Sequence, residues 1–342
     1  MIGGYLDDPS FRRARATMTR KQRLSVAMCT FNGAQFLPQQ LESLVSQTLL
    51  PDELVVCDDR SNDSTAVIVR TFARRAPFAV RLVVNEETLG STRNFERAIQ
   101  LCEGDIIFLS DQDDVWLPAK AERIQEVFDN NPGVGGVFSN AEIVDHQLTP
   151  AGYRLWDAIR FTRGERDAVK SGGAVDVLLK HSVATGATMA FRRDFVRLVT
   201  PIPASWIHDG WIALLIAAVS RLECIEAPLI RYRQHSRNQV GALKKDLEGQ
   251  VSDARAVPRT AYLIASEQYK IALQRLSTLP TREPFESLAK KLESKILHQS
   301  RRGTMPRSLM IRALVVMREV VSRRYHRYSG GYRSALKDLA GF

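Results

Sequence analysis

The chain is predicted to be an α/β protein: a mostly parallel sheet flanked by helices, with a helical extension at the C-terminal end. Three observations predict this. Over residues 24–110, short apolar runs alternate with segments of helical periodicity, the pattern of strand–helix–strand units in a parallel sheet. The polar clusters Thr30-Phe31-Asn32, Asp58-Asp59 and Asp111-Gln112-Asp113-Asp114 each follow the end of an apolar run. From about residue 242 the alternation gives way to helical patterning punctuated by Pro258, Pro280 and Pro306.

Taken in order, residues 24–28 form the first strand, broken by the turn signal Asn32-Gly33. A helix follows with Phe36, Leu37, Leu41, Leu44 and Val45 on one face, and Pro51-Asp52 ends it. Residues 53–57 are the second strand. The polar turn over 58–65 then caps a helix that runs through Val67, Ile68 and Phe72. Residues 80–84 give a third strand and 92–102 a helix. The fourth strand, 106–109, runs directly into three aspartates within four residues. Further on, 211–219 reads as an apolar helix, and 251–279, 285–300 and 309–328 as helices of the C-terminal region. No internal repeats or long low-complexity tracts interrupt the chain.

A length of 342 residues suits one large α/β domain with an appendage, and 44% hydrophobic with 25% charged residues is ordinary for a globular protein. The longest apolar run, 211–219, is well short of the ~20 residues that cross a bilayer. No apolar stretch follows Phe11-Arg12-Arg13-Ala14-Arg15, so no signal peptide is expected and a cytoplasmic location is. The cysteines Cys29, Cys57, Cys102 and Cys224 lack CxxC spacing and read as small buried hydrophobes in a reducing compartment. The net charge of +10 is uneven: residues 301–342 hold ten Lys/Arg against Glu319 and Asp338, and residues 1–23 hold six against Asp7 and Asp8. The basic character therefore sits at the two ends, which favours contact with an anionic surface. The expected organisation is a basic leader over 1–22 (with Met18 an alternative start), a main α/β domain over 23–241 and a basic helical region over 242–342.

Clustered carboxylates at a strand end are costly to desolvate together and call for a cation. Mg²⁺ or Mn²⁺ suits them, because such ions take one or two carboxylates together with substrate phosphates. The plain alternative is a solvated turn that caps the next helix. Polar motifs at several strand ends converge on one rim of a parallel sheet, where ligands bind, and this favours the functional reading. Neither GxGxxG nor GxxxxGK[ST] occurs, which argues against a dinucleotide site or a P-loop.

Three stretches, Ser25-Val26-Ala27-Met28-Cys29-Thr30-Phe31-Asn32-Gly33, Asp58-Asp59-Arg60-Ser61-Asn62-Asp63-Ser64-Thr65 and Asp111-Gln112-Asp113-Asp114-Val115-Trp116-Leu117-Pro118, resemble the inverting family-two glycosyltransferases of GT-A fold. Thr185-Gly186-Ala187-Thr188-Met189, His208-Asp209-Gly210-Trp211 and Tyr232-Arg233-Gln234-His235-Ser236-Arg237-Asn238-Gln239-Val240-Gly241 look like its branch of bacterial rhamnosyltransferases. The resemblance implies a nucleotide-sugar donor held by Thr30, Phe31, Asn32, Asp59, Arg93, Asn94, Asp111, His235 and Arg237. Within that set Asp59 would accept from the base and Phe31 would stack on it, a core phenylalanine being the alternative. Asp111 and Asp113 match the DxD pair for a divalent metal, with His235 as a further ligand and Asp114 as a helix cap or metal-supporting group. For Arg93 the alternative is a solvated helix face. Asp209 matches the general base that deprotonates the acceptor, and Thr185, Gly186, His208 and Trp211 fall on the acceptor side. One position departs from the family: Arg60 stands where the turn often has glycine, which puts local loop geometry in question.

In the C-terminal region Leu309, Leu314, Val316, Met317, Val320 and Val321 interleave with Arg307, Arg312, Arg318, Arg323 and Arg324. Such a helix would lie on an anionic bilayer or pack on the catalytic domain with its basic face solvated. The expected function is metal-dependent transfer of L-rhamnose from dTDP-rhamnose onto a growing cell-surface polysaccharide or lipid-linked glycan, at the inner face of the cytoplasmic membrane. Two alternatives remain: a UDP- or GDP-hexose donor, and an inactive homologue that binds membrane. Nucleic acid is not an expected partner, since no reader motif is present.

Overall fold

The computed structural model describes residues 22–235, 257–279 and 283–341. The expected leader, up to residue 21, and Arg237 with residues 236 and 238–241 of its motif lie outside the described residues.

Strand β1 (Leu24–Thr30) is buried at every position, as expected of a parallel strand covered by helices on both faces. It lies between β2 (Glu53–Asp58) and β4 (Ile106–Asp111), and β3 (Ala79–Val84) extends the sheet beyond β2. The register sets Thr30 beside Asp58, and Cys29 beside both Cys57 and Asp111. Three strands therefore stop at one level, and the loops that leave them share a rim. Helices α1 (Leu37–Val45), α2 (Thr65–Ala73) and α3 (Ser91–Leu101) make the crossovers. On α2 the buried face belongs to Thr65, Val69 and Phe72, while Val67 points to solvent.

Beyond β4 the chain forms β5 (Val115–Trp116), α4 (Lys120–Asn130), β6 (Val134–Val144), β7 (Pro150–Arg154), α5 (Leu155–Ala158), α6 (Arg163–Ala168) and α7 (Ala174–Lys180). It continues through β8 (Met189–Arg192), α8 (Val196–Val199), α9 (His208–Val219) and β9 (Arg221–Arg233). The sheet order is β3-β2-β1-β4-β8-β6-β9-β5, with β7 paired to β6. Here the sheet turns mixed: β8 runs antiparallel to both β4 and β6, β5 runs antiparallel to β9, and β6 and β9 are parallel. The predicted parallel arrangement holds for β1 to β4. The reversals rest on β5 and β8, which are too short to show a period in the sequence.

The loop between β4 and α4 is held from α1. Trp116 N donates to Ser43 Oγ at 3.0 Å, Gln47 Nε2 donates to the Leu117 carbonyl at 2.9 Å, and Gln47 Oε1 accepts from Ala121 N at 3.0 Å. All four cysteines are free and buried.

Helices α10 (Arg259–Ser277) and α11 (Glu283–Gly303) lend Ala272, Leu276, Leu288 and Leu292 to the main core. Arg275 fastens α10 to the main α/β body by donating to the carbonyls of Leu198, Thr200 and Pro201. Helices α12 (Leu309–Val321), α13 (Arg324–Tyr328) and α14 (Tyr332–Ala340) surround a second, small core of Met305, Val316, Tyr325 and Ala335. The single helix expected over 309–328 is broken at Arg323, which takes a left-handed φ of 57°.

A buried ion network joins these helices. Glu319 accepts from His298 Nδ1 at 2.7 Å, from Arg324 at 3.0 Å and from Arg301. His298 Nε2 lies 2.8 Å from Ser329 Oγ, which also accepts from Arg302 at 2.9 Å. A neutral imidazole with its proton on Nδ1 satisfies this chain, and burial favours that form by pushing the His298 pKa down. Burial would raise the Glu319 carboxyl, but hydrogen bonds from His298 and Arg301 outweigh it and hold the pKa at about 2, against an ordinary 4.5. A depressed carboxyl adds stability above its ordinary pKa, and that stability is lost as pH falls toward the folded value. Melting temperature should therefore drop as pH falls from 4.5 toward 2. Glu319→Gln should melt lower at neutral pH and respond less to acid. Equal acid slopes for the two proteins in a thermal-unfolding series would remove Glu319 from this role.

Candidate active site

A cavity of about 560 Å³ opens where β1, β2 and β4 end. At its first side the turn after β2 divides the labour of two aspartates. Asp58 is fully buried and accepts from Thr30 Oγ1 at 2.7 Å, Ser61 Oγ at 2.6 Å and Ser61 N at 2.9 Å. Asp59 lines the cavity. Its Oδ1 accepts from Asn85 Nδ2 and Leu89 N, and its Oδ2 from Gly90 N alone among these contacts, which leaves acceptor capacity on that oxygen. Gly90 has φ 79°, a conformation open to glycine, and so can turn its N–H onto Asp59. Arg60, the departure from the family pattern, takes φ 63°. The family's glycine is thus replaced by a residue held in the left-handed region, at a cost of about 1 kcal/mol.

Phe31 is 50% exposed and lines the cavity, so the core reading does not apply to it. Gln112 clasps its backbone from the opposite loop: Phe31 N donates to Gln112 Oε1 at 2.9 Å, and Gln112 Nε2 donates to the Phe31 carbonyl at 3.0 Å. Asn94 is buried at the cavity wall, donates to the Cys57 carbonyl and accepts from Asn85. Thr30 also lines the cavity, but its hydroxyl is turned to Asp58. Two expected donor contacts fall elsewhere. Asn32 Oδ1 accepts from Asn62 N and braces the two turns against each other, and Arg93 is solvated on α3.

Asp111 and Asp113 face the same cavity. Burial and the charges of Asp113 and Asp209 push the Asp111 carboxyl up, to about 7. His235 Nε2 stands 2.8 Å from Asp113 Oδ2 and its ring stacks on Phe36 at 4.8 Å. Asp114 caps no helix: α4 begins at Lys120 without a side-chain cap. Instead Asp114 Oδ1 accepts from Arg233 N at 2.9 Å, and its buried Oδ2 has no hydrogen-bond partner among the described residues.

At the opposite wall, Asp209 sits in the first turn of α9, with Oδ2 accepting from Gly186 N at 3.0 Å and Oδ1 from Gly210 N at 2.6 Å. Each oxygen keeps a lone pair. His208 also lines the cavity, stacked on Phe95 at 4.0 Å; burial lowers its pKa, and neither ring nitrogen has a hydrogen-bond partner among the described residues. Gly186 permits this packing, because a Cβ there would lie 2.7 Å from His208 Nε2. Thr185 and Gly186 line the cavity, whereas Trp211 does not. Trp211 is fully buried and donates to the Val199 carbonyl at 2.7 Å, a core role set by the all-round apolar character of α9.

Two cations that the residue-by-residue reading did not single out brace the acidic loop. Lys120 is wholly buried, donates to the Ala187 carbonyl at 2.7 Å and sits 3.7 Å from the Trp116 ring centre. Burial lowers its pKa to about 7 against the opposing pull of Asp114 and Asp111. A lysine as first residue of a helix runs against the helix dipole, and that was its sequence signal. Arg233, also buried, spreads its guanidinium over the Asp113 carbonyl (2.7 Å), the His146 carbonyl (2.6 Å) and Gln39 Oε1 (2.6 Å). It thereby fixes the Asp111–Asp114 loop from β9. Tyr232 lines the cavity as a neutral phenol, since burial and the nearby carboxylates raise its pKa.

This arrangement, carboxylates from β2, β4 and α9 around one cleft at the strand ends, is that of a sugar-nucleotide fold, and sequence comparison agrees. The profile of glycosyl transferase family 2 matches residues 25–197, and the chain belongs to that family. An uncharacterised glycosyltransferase of Nostoc sp. is 26% identical over 225 residues, covering 63% of this chain and 66% of that protein. The dTDP-rhamnosyl transferase RfbG of Shigella flexneri is 25% identical over 226 residues, covering 63% of this chain and 74% of its own. Against the Nostoc protein and a Mycobacterium tuberculosis relative, the match spans 66% and 59% of their lengths, less than two thirds of either. Residues 1–349 of S. aureus TarS share the fold, with TM-score 0.55, 14% identity, and coverage of 93% of this chain and 88% of that one.

Replacing Arg233 by lysine would keep the charge but lose the planar fork that reaches three acceptors at once. The expected cost is about 2 kcal/mol or more, because buried carbonyls lose charge-assisted partners. Arg233→Lys should lower the melting temperature and weaken nucleoside diphosphate binding together. Unchanged values of both would show that the fork does not set the loop.

Proposed function

We propose that this protein transfers L-rhamnose from dTDP-rhamnose to a hydroxyl of a growing polysaccharide or lipid-linked glycan, with inversion at the anomeric carbon. A lipid-linked acceptor would put the reaction at the inner face of the cytoplasmic membrane. The observation that carries the reading is the convergence of Asp59, Asp111, Asp113 and Asp209 on one cavity. Asp59 Oδ2 would accept from the N–H of a pyrimidine base, with Phe31 offering an exposed ring for stacking.

Asp111 and Asp113 fit Mg²⁺ or Mn²⁺. Burial, and after it the charges of Asp113 and Asp209, raises Asp111, and the buried Asp114 has an oxygen without a partner among the described residues, so a bound cation would relieve a cost that the loop's own neighbours leave in place. Among the described residues no group of three or more His, Cys, Asp or Glu forms a metal cage. Mg²⁺ and Mn²⁺ take one or two carboxylates and complete their shell with water and phosphate. A divalent cation held there supplies positive charge to the diphosphate leaving group. His235 is the partner of Asp113, and it would join the ligands only by giving up that contact.

Asp209 is the proposed general base. It takes the proton of the acceptor hydroxyl as that oxygen bonds to the anomeric carbon, and the bond from that carbon to the diphosphate breaks on the opposite side. The helix N-terminus and the two backbone N–H groups hold the carboxylate in place. His208, neutral and unpartnered, would meet a sugar hydroxyl, with Thr185 and Gly186 shaping the acceptor side. The name of RfbG supports the rhamnose donor. A glucose donor is the second reading, supported by the Escherichia coli UDP-Glc-dependent transferase WfgD, 29% identical over 124 residues.

Competition among dTDP-rhamnose, UDP-glucose, UDP-galactose and GDP-mannose in a donor-hydrolysis assay, with and without Mn²⁺, separates these readings. A preference for dTDP-rhamnose that EDTA abolishes is expected, and Asp113→Ala should erase the metal dependence of donor binding. Preference for a UDP-hexose would overturn the rhamnose assignment, and activity indifferent to EDTA would overturn the metal. Asp209→Asn should cut transfer by roughly two to four orders of magnitude while donor affinity stays within a few-fold. Full turnover by that variant would remove Asp209 as the base.

A further inference from the structure

Helix α12 is apolar on two sides. Val316, with Val315 and Val320, closes the small C-terminal core. On the other side Met310, Leu314, Met317 and Val321 are 59–79% exposed. Their spacing of four, three and four residues makes a single stripe along the helix. Packing among the described residues does not account for it. Nearby, α14 exposes Tyr332 and Leu336, one turn apart.

The charge around this stripe has one sign. The only carboxylate side chains of residues 301–342 are Glu319 and Asp338. Both are buried, Glu319 against Arg301 and Arg324, and Asp338 against Arg302. Among the described residues of this unit, every exposed Lys, Arg, Asp or Glu is an arginine: Arg307, Arg318, Arg323, Arg327 and Arg333. Arg307 and Arg323 flank the stripe, and Arg318 lies within its span.

We infer that the free side of α12 docks on an anionic lipid bilayer. Such a surface accepts both halves of the pattern, apolar side chains at the acyl boundary and guanidinium groups at the phosphates. A second copy of the chain would bring this cationic surface against itself, since a two-fold contact pairs like with like. Nucleic acid would answer the arginines but leave the methionine, leucine and valine stripe without a partner. The contact is docking and not spanning: no helix among the described residues is long and apolar enough to cross a membrane. The inference rests on no step of the sugar transfer, though it gives the proposed lipid-linked acceptor a surface on which to meet the enzyme.

Co-sedimentation of the full chain with vesicles tests it, using phosphatidylglycerol mixed into phosphatidylcholine, and phosphatidylcholine alone. Binding to the anionic vesicles is expected to exceed the neutral control at least tenfold and to fall as salt rises. The variant M310S/L314S/M317S/V321S and, separately, R318E/R323E should each lose most of that binding while keeping nucleotide-donor affinity. The second variant keeps the test decisive if the first folds poorly. Binding of both variants at the wild-type level, or no binding of the wild type, would overturn the inference. So would sedimentation showing a wild-type dimer that the stripe variant dissolves without change in vesicle binding, since the stripe would then face a second copy.

Discussion

Like charge gathered at one rim is the constraint on which the rest of this structure depends. Asp111, Asp113 and Asp209 face one cavity, and Asp114 lies buried behind them. Carboxylates cannot be brought so close without cations or dipoles to answer them. The protein supplies these from several elements. Lys120 comes from the start of α4, Arg233 from the end of β9, His235 from just beyond it, and backbone N–H groups from Gly186 and Gly210. None lies within the acidic loop itself. Folding the second half of the chain is therefore what makes the loop after β4 tenable, and this explains why a strand as short as β5 pairs with β9.

The same arrangement divides the cleft into a fixed part and an open part. Asp58, Asn32, Asn94 and Arg233 spend their polar atoms on other protein groups, so they hold loops in register. Asp59 Oδ2, Asp113, Asp209 and the His208 ring keep capacity toward the cavity. Adjacent residues take opposite tasks, as with Asp58 and Asp59, because successive side chains at a strand end point to opposite faces. Function in this cleft is assigned by what a group has left over, not by its mere presence.

Much of this was legible in the sequence, and the limits have physical reasons. Strands β1, β2 and β4 are buried on both faces, so they appear as apolar runs, and the polar residues after them mark the rim. Asp59, Asp111, Asp113, Thr185, Gly186, His208 and Asp209 were named from motifs and do line one cavity. Trp211 and Arg93 were misplaced because a motif gives neighbours in the chain, while helical rotation decides which of them reach a cleft. Trp211 follows Asp209 by two positions on α9, about 200° around the axis, and so points into the core. Lys120 and Arg233 were harder to find, since their role exists only through carboxylates far away in sequence. In the mixed half of the sheet β5 and β8, at two and four residues, carry no period, and the longer β6 is buried at nearly every position and so shows no alternation.

The C-terminal unit shows the same electrostatic logic turned outward. Its arginines fall into two sets of identical chemistry and different fate. Arg301, Arg302 and Arg324 find Glu319 or Asp338 and become internal ties between helices. With both carboxylates consumed inside, the exposed arginines meet no exposed carboxylate within the described residues of their own segment, 301–341. An excess of positive charge at the surface thus follows directly from how the small core is held together. Were Glu319 and Asp338 exposed, the same composition would give a mixed surface with no preference for anions. Because they are buried, the stripe of Met310, Leu314, Met317 and Val321 is framed within its own segment by arginines, and the excess of Lys and Arg over carboxylates in residues 301–342 becomes a directed surface rather than a diffuse excess.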